Sequence, residues 1–186
     1  MLKKVAAIND LSGIGKCSLT VAISILSSLK VQCCPFPTAI LSSQTGFSEY
    51  TFLDLTNEME NYSRTWKNLN LNIDTIYSGF LGSINQIDIV IDFIKKNPHA
   101  FVIVDPVLGD DGSLYPIFNE DTCTKMRNLV MHSNLITPNI TEACLLLNKK
   151  YTNDFSDEDI FNIAKDLSKM GPEKVIITGI IRDDMI

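Results

Sequence analysis

The chain has 186 residues, a formal net charge of −6 and 45% hydrophobic residues. Charged residues make up 20%, and this composition excludes a disordered chain, a collagen-like chain and a coiled coil. An acidic chain without a cluster of lysine and arginine is a poor candidate for nucleic-acid binding, which needs a basic surface. Because no apolar run could cross a bilayer and the start does not match a signal peptide, we expect a cytoplasmic protein without a membrane partner.

The alternation of apolar runs with segments of helical periodicity predicts the elements in chain order. Strands are predicted over residues 4–9, 31–41, 74–78, 101–105, 135–137 and 174–178. Helices are predicted over residues 16–29, 53–69, 119–131 and 140–147, with two more beginning after the N-caps Ser83 and Ser156. Because Pro35 and Pro37 cannot donate to a sheet, the second strand should be irregular or at an edge.

This order predicts an α/β fold, with a mostly parallel sheet flanked by helices in a single domain over residues 1–186. Ligands of such sheets bind beyond the carboxyl ends of the strands. Gly, Asp, Ser, Thr and Asn collect at those ends in this chain. We therefore expect the functional residues there.

The chain has five cysteines, Cys17, Cys33, Cys34, Cys123 and Cys144. Their spacing matches no zinc site, and adjacent residues of a strand point to opposite faces, so Cys33 and Cys34 should not bond. We expect reduced, mostly buried thiols. Neither of the two histidines is placed to serve as the base of Ser-His-Asp or Cys-His catalysis.

The glycine-rich segment after the first strand, residues 12–18, resembles two phosphate-binding motifs but matches neither. Asp10 and Cys17 stand where a P-loop requires Gly and Ser or Thr. Ser18 stands where a dinucleotide fingerprint requires its third glycine. Two interpretations remain: a turn that lets a ligand approach the backbone, or a plain strand-to-helix turn.

Acidic residues leave the apolar strand 101–105 at its carboxyl end. Asp105 follows the run FVIV, and Asp110 lies in the glycine-containing loop beyond it. Mg²⁺ takes hard oxygen ligands, often one or two carboxylates together with phosphate oxygens. A magnesium–phosphate site is one interpretation of this loop, and a solvated acidic turn is the other.

The segment 137–142 combines a helix cap with a further acid. Asn139 is placed as an N-cap and Glu142 follows three residues later, as in a capping box. The pair can serve the helix alone. It can also place the Glu142 carboxylate at the same rim as Asp105 and Asp110.

Six segments, in this order, resemble the pyridoxal/pyridoxamine (vitamin B6) kinases of the ribokinase-like superfamily: AINDLSGIGKCSLT, PTAILSSQTGF, SGFLGS, VDPVLGDDGSLY, ITPNITEACLLL and KVIITG. The resemblance implies a ribokinase-like, Rossmann-like fold and a homodimer in the full-length form. It implies ATP-dependent phosphorylation of the 5′-hydroxymethyl group of pyridoxal, pyridoxamine or pyridoxine in pyridoxal 5′-phosphate salvage. ATP and Mg²⁺ would be the cofactors.

The resemblance also assigns roles to individual positions. Mg²⁺ would be held by Asp105, Asp110 and Glu142. ATP would be contacted by Asp105, Tyr115, Asn139 and Thr178. The vitamin ring would be contacted by Asp10, Ser12, Thr45 and Phe80. Many relatives have Ser at the position of Asp10 and Tyr at that of Phe80, so the preferred vitamer stays open.

One expected motif of the resemblance does not occur in the chain. A Gly-Thr-Gly-Asp-like segment, whose Asp is the general base, should follow Thr178 and would lie beyond Ile186. We therefore expect the N-terminal portion of such a kinase, inactive alone, with Asp183 and Asp184 in an exposed turn. The alternatives are a hydroxymethylpyrimidine or sugar kinase of the same superfamily, a non-catalytic nucleotide- or B6-binding remnant, and an unrelated α/β binding module.

Overall fold

The computed structural model describes residues 2–180 of the chain. Contacts divide the chain into two compact units, Met1–Val102 and Ile103–Ile186. The single domain expected from the sequence stays a prediction. Asp183 and Asp184, predicted as an exposed turn, lie outside the described residues.

The elements alternate as the sequence predicts. The strands are β1 Lys4–Ser12, β2 Gln32–Leu41, β3 Phe52–Asp54, β4 Thr75–Ser78, β5 Phe101–Val104, β6 Gly109–Asp110, β7 Ser113–Leu114, β8 Leu135–Ile136 and β9 Lys174–Val175. The helices are α1 Ser18–Ser28, α2 Thr56–Asn68, α3 Ile84–Lys96, α4 Glu120–Val130, α5 Ile140–Leu147 and α6 Asp157–Ser168.

Seven strands form one sheet in the order β3-β2-β1-β4-β5-β8-β9. β1 pairs in parallel with β2 and β4, and β8 pairs in parallel with β5 and β9, whereas β3 runs antiparallel to β2. β6 and β7 form a separate antiparallel hairpin. The predicted α/β fold with a mostly parallel sheet is confirmed.

One of the two alternatives for β2, a strand at the edge of the sheet, does not apply, because β2 lies between β3 and β1. Gln32 donates its N–H to the carbonyl of Lys3, next to β1. Backbone groups alternate sides along a strand, so the nitrogens of Pro35 and Pro37 face away from β1. β3 pairs with β2 only from Ala39 onward, so neither proline interrupts a ladder. The strand is irregular, as also expected, with a register shift between Asn9 and Leu11 of its partner.

The helix predicted over residues 53–69 begins later, at Thr56. The residues before it form the short strand β3 instead, and the Asp54 carboxylate accepts the N–H of Thr56 at 2.7 Å.

In the first unit, helices α2 and α3 pack against one face of the sheet. Phe36 of β2 lies with its ring centroid 5.3 Å from Trp66 and 5.4 Å from Phe93.

The second unit begins each of its three helices with a capping box. The pairs are Asn119 with Thr122, Asn139 with Glu142 and Ser156 with Asp159. Reciprocal side-chain caps satisfy backbone N–H groups that have no partner within the helix. Within residues 2–180, no helix is long and apolar enough to span a membrane.

All five cysteines are free thiols, as the sequence predicts. Cys34 is buried, whereas Cys33 packs against the cluster that Ala7 of β1 forms with Leu19 and Ala22 of α1. Burial raises the pKa of both thiols. A raised pKa suppresses the reactive thiolate, so these two residues serve packing.

Candidate functional site

Glu142 is the most constrained acid in the second unit. Its side chain is 4% exposed, and its two carboxylate oxygens accept the N–H of Leu108 at 3.2 Å and the N–H of Asn139 at 2.8 Å. Burial raises the pKa of Glu142 to about 8, and the charges of Asp105 and Asp110 act in the same direction. The carboxylate therefore links the start of α5 to the loop after β5.

Asn139 completes this link from the other side. Its side-chain oxygen accepts the N–H of Glu142 at 2.8 Å, and its amide nitrogen donates to the carbonyl of Gly109 at 2.9 Å. Thr178 pairs with Asn139 in an isolated bridge and donates its N–H to Pro138 at 2.9 Å. The two residues predicted to contact ATP after neighbouring strands thus lie side by side. Asn139 and Glu142 therefore cap α5 and also stand at the carboxyl end of the sheet.

Asp105 follows β5 and is half-buried. Burial raises the pKa of its carboxyl to about 6, and a side-chain hydrogen bond with Thr137 acts in the opposite direction. Neighbouring parallel strands β5 and β8 bring these two residues together, because each stands directly beyond its strand. Asp105 is therefore held at the carboxyl end of the sheet, where the sequence predicts it.

The loop that carries Asp110 is a tight hairpin, which the sequence analysis missed. A Cβ on Gly109 would lie 2.1 Å from the carbonyl oxygen of Ser113, so the two strands approach too closely for a side chain. Gly112 has φ +75° and donates its N–H to the Thr141 hydroxyl at 2.9 Å. The hairpin is therefore fixed to α5, with the Asp110 side chain exposed.

Tyr115 follows the hairpin and is 39% exposed. Burial raises the pKa of its phenol, and the charges of Asp110, Glu142 and Asp105 raise it further. Tyr115 also donates its N–H to the carbonyl of Leu108 at 2.9 Å, and the N–H of Leu108 binds Glu142, so the tyrosine and Glu142 hold the same loop. The second unit thus brings together the acidic residues and the tyrosine that the sequence selected.

The acids of this neighbourhood have the donor chemistry that a magnesium ion prefers. Burial and mutual repulsion disfavour the charged form of Glu142, so a cation there would relieve an unfavourable charge. Carboxylate oxygens are the ligands that Mg²⁺ prefers, and it usually keeps several waters. Among residues 2–180, no group of three or more His, Cys, Asp or Glu side chains lies close enough together to hold a metal ion. Magnesium binding by Asp105, Asp110 and Glu142 therefore stays a prediction.

In the first unit, Asn9 connects two of the predicted ring contacts. Its side-chain oxygen accepts the N–H of Asp10 at 3.0 Å and the N–H of Phe80 at 2.9 Å. The Ser12 hydroxyl donates to the Asp10 carboxylate at 2.8 Å, and both residues are buried. β1 and β4 thus end in one polar cluster that contains Asp10, Ser12 and the backbone of Phe80.

Thr45 lies in the exposed loop between β2 and β3. The preceding residue, Gln44, donates its N–H to the carbonyl of Ile14 at 2.9 Å, which ties this loop to the glycine-rich turn after β1. Thr45 is therefore placed near the turn, and its role as a ring contact stays a prediction.

The glycines of that turn are explained by contacts within the chain. A Cβ on Gly13 would lie 2.8 Å from the carbonyl oxygen of Ser42, and one on Gly15 would lie 2.8 Å from Cγ of Gln44. The loop after β2 therefore occupies the space at both glycines. The segment is a strand-to-helix turn, as both interpretations predict, and the chain itself fills the space at these two Cβ positions. The approach of a ligand to this backbone stays a prediction.

Sequence reasoning missed Thr38 and Gln86, which are both fully buried. The Thr38 hydroxyl donates to the carbonyl of Phe80 at 3.0 Å, and Gln86 donates to the carbonyl of Thr38 at 3.0 Å. A lone polar residue inside an apolar pattern is the only signal that could have marked them. Two surface grooves of about 380 and 360 Å³ lie elsewhere, lined only by residues of α2 and α3, and no predicted site residue lines them.

Residues 23–185 match the family model described as phosphomethylpyrimidine kinase. The chain belongs to this family. Within it, a candidate phosphomethylpyrimidine kinase from Bacteroides thetaiotaomicron, solved with pyridoxal, is 47% identical and superposes with a TM-score of 0.95. The match covers 99% of this chain and 65% of that protein.

Pyridoxal kinases are also among the relatives. The enzyme of Dictyostelium discoideum is 28% identical over 170 residues, covering 87% of this chain and 55% of that enzyme. The Lactobacillus plantarum pyridoxal kinase structure is 27% identical with a TM-score of 0.89, covering 99% of this chain and 66% of that protein. The resemblance to pyridoxal kinases is confirmed, and the chain spans about half to two thirds of the length of these relatives.

Proposed function

We propose that this protein is an ATP-dependent kinase that phosphorylates the 5′-hydroxymethyl group of a vitamin B6 vitamer, as a homodimer in its full-length form. The observation that carries the proposal is a relative solved with pyridoxal that is 47% identical to this chain and matches 99% of it. The polar cluster at the ends of β1 and β4 supports it from the chain's own residues.

In the first unit, the proposed substrate contacts are Asp10, Ser12, Thr45 and Phe80. The buried carboxylate of Asp10 has one oxygen engaged by the Ser12 hydroxyl at 2.8 Å. A carboxylate can accept more than one hydrogen bond, so Asp10 could also accept one from a polar group of the ring. The half-buried aromatic ring of Phe80 offers a stacking surface of the kind that a pyridine prefers.

In the second unit, the proposed nucleotide contacts are Asp105, Tyr115, Asn139 and Thr178, and the proposed magnesium ligands are Asp105, Asp110 and Glu142. Mg²⁺ bound with ATP supplies the charge neutralisation that phosphoryl transfer requires. Glu142 and Asn139 hold the loop after β5 in place through Leu108 and Gly109. A Staphylococcus aureus pyridoxal kinase with this fold, 23% identical, has been solved with ADP.

Hydroxymethylpyrimidine kinase activity is the second candidate, because the matching family model carries the name phosphomethylpyrimidine kinase. Both substrates present a hydroxymethyl group on a nitrogen heterocycle. They differ in ring substituents, so the discrimination would depend on the residues at the ends of β1 and β4. Ring contacts that reject an analogue lacking a hydrogen-bonding group can be strongly selective.

A substrate panel tests the proposal. The full-length protein should transfer the γ-phosphate of radiolabelled ATP to pyridoxal, pyridoxamine or pyridoxine in preference to hydroxymethylpyrimidine and ribose. Faster transfer to hydroxymethylpyrimidine would favour the second candidate. Transfer to none of them, with nucleotide binding intact, would favour a non-catalytic binding protein.

A protein of residues 1–186 alone should turn over at least about 100-fold more slowly than a full-length relative, because no residue within these positions is assigned as the general base. The comparison is made with pyridoxal under saturating ATP and Mg²⁺. Turnover within about tenfold of the relative, one step of 1.36 kcal/mol in the barrier, would place the base inside these residues.

A further inference from the structure

Phe80 has both of its backbone groups bonded to buried side chains. Its N–H donates to the Asn9 side-chain oxygen at 2.9 Å, and its carbonyl accepts the Thr38 hydroxyl at 3.0 Å. Asn9 is 6% exposed and Thr38 is 0% exposed. Phe80 lies beyond the end of β4, where the strand ladder no longer fixes the backbone. Two side chains from two different strands take over that function.

Both residues are themselves held in place. The Thr38 carbonyl accepts the N–H of Leu55 and the amide of Gln86, both at 3.0 Å. The Asn9 amide packs so closely on Gly79 that a Cβ there would lie 2.3 Å from the Asn9 nitrogen. The groups that bond the Phe80 backbone therefore come from anchored residues, Thr38 through its backbone carbonyl and Asn9 through its packing on Gly79.

The same Asn9 oxygen also accepts the N–H of Asp10 at 3.0 Å. One amide oxygen thus sets the relative position of Asp10 and Phe80. Holding a binding group in its bound orientation before the ligand arrives reduces the entropy that is lost on binding. A pair of ring contacts fixed in this way would bind a flat heterocycle more tightly than the same side chains on a mobile loop.

We propose that Asn9 and Thr38 are positioning residues that clamp the backbone of Phe80 and so orient its ring against the substrate. This inference rests on the proposed function, because it takes Phe80 as a contact of the vitamin ring. Neither Asn9 nor Thr38 needs to touch the substrate. Their effect on pyridoxal binding passes through Phe80. It can therefore be distinguished from a general contribution to folding, which would not depend on the Phe80 ring.

The test compares Thr38→Val, which removes the hydroxyl at nearly constant volume, with Thr38→Ser, which keeps it. Calorimetry of the full chain measures the affinities for pyridoxal and, separately, for the ATP analogue AMP-PNP. The loss of one hydrogen bond should raise the Kd for pyridoxal about three- to tenfold in Thr38→Val. Thr38→Ser should keep most of the wild-type affinity. The Kd for AMP-PNP should change in neither variant.

The Phe80→Ala background separates positioning from folding. Once the ring is removed, Thr38→Val should cause no further loss of pyridoxal affinity, whereas independent effects would add. A loss that persists in that background, or that is equal for pyridoxal and AMP-PNP, would overturn the clamp. Unchanged pyridoxal affinity in Thr38→Val, with normal binding by the wild type, would overturn the clamp alone. A wild type that binds no pyridoxal would overturn the proposed function and the clamp with it.

Discussion

The carboxylate of Glu142 accepts the backbone N–H of Leu108 at 3.2 Å, across 34 positions of sequence. This contact fastens the loop that carries Asp110 to the first turn of α5. Because the same carboxylate also closes the cap on Asn139, one side chain determines the local helix start and the position of the acidic loop. Changes at Glu142 should therefore alter magnesium-dependent nucleotide binding.

Glu142→Gln should remove most of the gain in AMP-PNP affinity that Mg²⁺ gives to the wild type. The amide is uncharged and keeps only one acceptor oxygen for two N–H donors. We expect the magnesium-dependent gain to fall by about tenfold or more, given the strength of charge-assisted contacts. Glu158→Gln, an exposed acid in the first turn of α6, is the matched control and should keep the full gain. A full gain in Glu142→Gln would remove this residue from the magnesium site.

Stability without Mg²⁺ should fall as the pH rises. Burial raises the pKa of Glu142 to about 8 and that of Asp105 to about 6, from 4.5 and 3.8. The folded state thus keeps protons that the unfolded chain releases, so the contribution to stability is complete at acid pH and is lost as the pH rises through the folded-state pKa values.

Urea unfolding between about pH 5 and 8.5 measures this dependence through the free energy of unfolding. Added Mg²⁺ should restore more stability at the alkaline end, where it competes with fewer protons. The Glu142→Gln variant should show a flatter profile. Stability of the magnesium-free protein that increases across this range would contradict the assignment of the raised pKa values.

Gly112→Ala should destabilise the protein more than Gly179→Ala. Both glycines have positive φ, +75° and +69°, so alanine is strained at each. A Cβ at Gly112 would also lie 2.5 Å from Cδ1 of Tyr151, whereas no atom of residues 2–180 lies within 4 Å of one at Gly179. Overpacking adds about 1–3 kcal/mol, so the free energy of unfolding should differ by that amount between the variants. Equal losses would show that the Tyr151 ring moves aside freely.

Thr45→Val should weaken pyridoxal binding about three- to tenfold, the value of one hydrogen bond, without changing AMP-PNP binding. Thr45 lies in an exposed loop, so the substitution should leave the melting temperature unchanged. Thr51→Val, in the same loop, is the matched control. An unchanged pyridoxal Kd in Thr45→Val, measured by calorimetry, would mean that the loop does not contact the ring.

The placement of two acids of the candidate site could be predicted from the sequence, for a physical reason. Asp105 directly follows four apolar strand residues, and Glu142 stands three residues after an N-cap, so strand ends and capping chemistry locate both. The hairpin that carries Asp110 was missed because its strands are two residues long, too short for any periodicity. Its two glycines show their purpose only once Ser113 and Tyr151 are placed beside them.

The clamp on Phe80 could not be predicted at all. Asn9 and Thr38 are single polar residues within strands, and their partner lies 71 and 42 positions away along the chain. Strand patterning specifies which face a side chain occupies, but not which distant loop it will bind. The irregular course of β2 was foreseen from Pro35 and Pro37, whereas its interior place in the sheet depends on β3, which the helical pattern concealed.

The most direct test of the central claim is a pair of calorimetric titrations. Pyridoxal and hydroxymethylpyrimidine are each titrated into the wild-type protein in the presence of Mg²⁺ and AMP-PNP. A vitamin B6 kinase should bind pyridoxal at least about tenfold more tightly, a difference of 1.4 kcal/mol in binding free energy. Tighter binding of hydroxymethylpyrimidine, or binding of neither compound while AMP-PNP binds normally, would contradict the account.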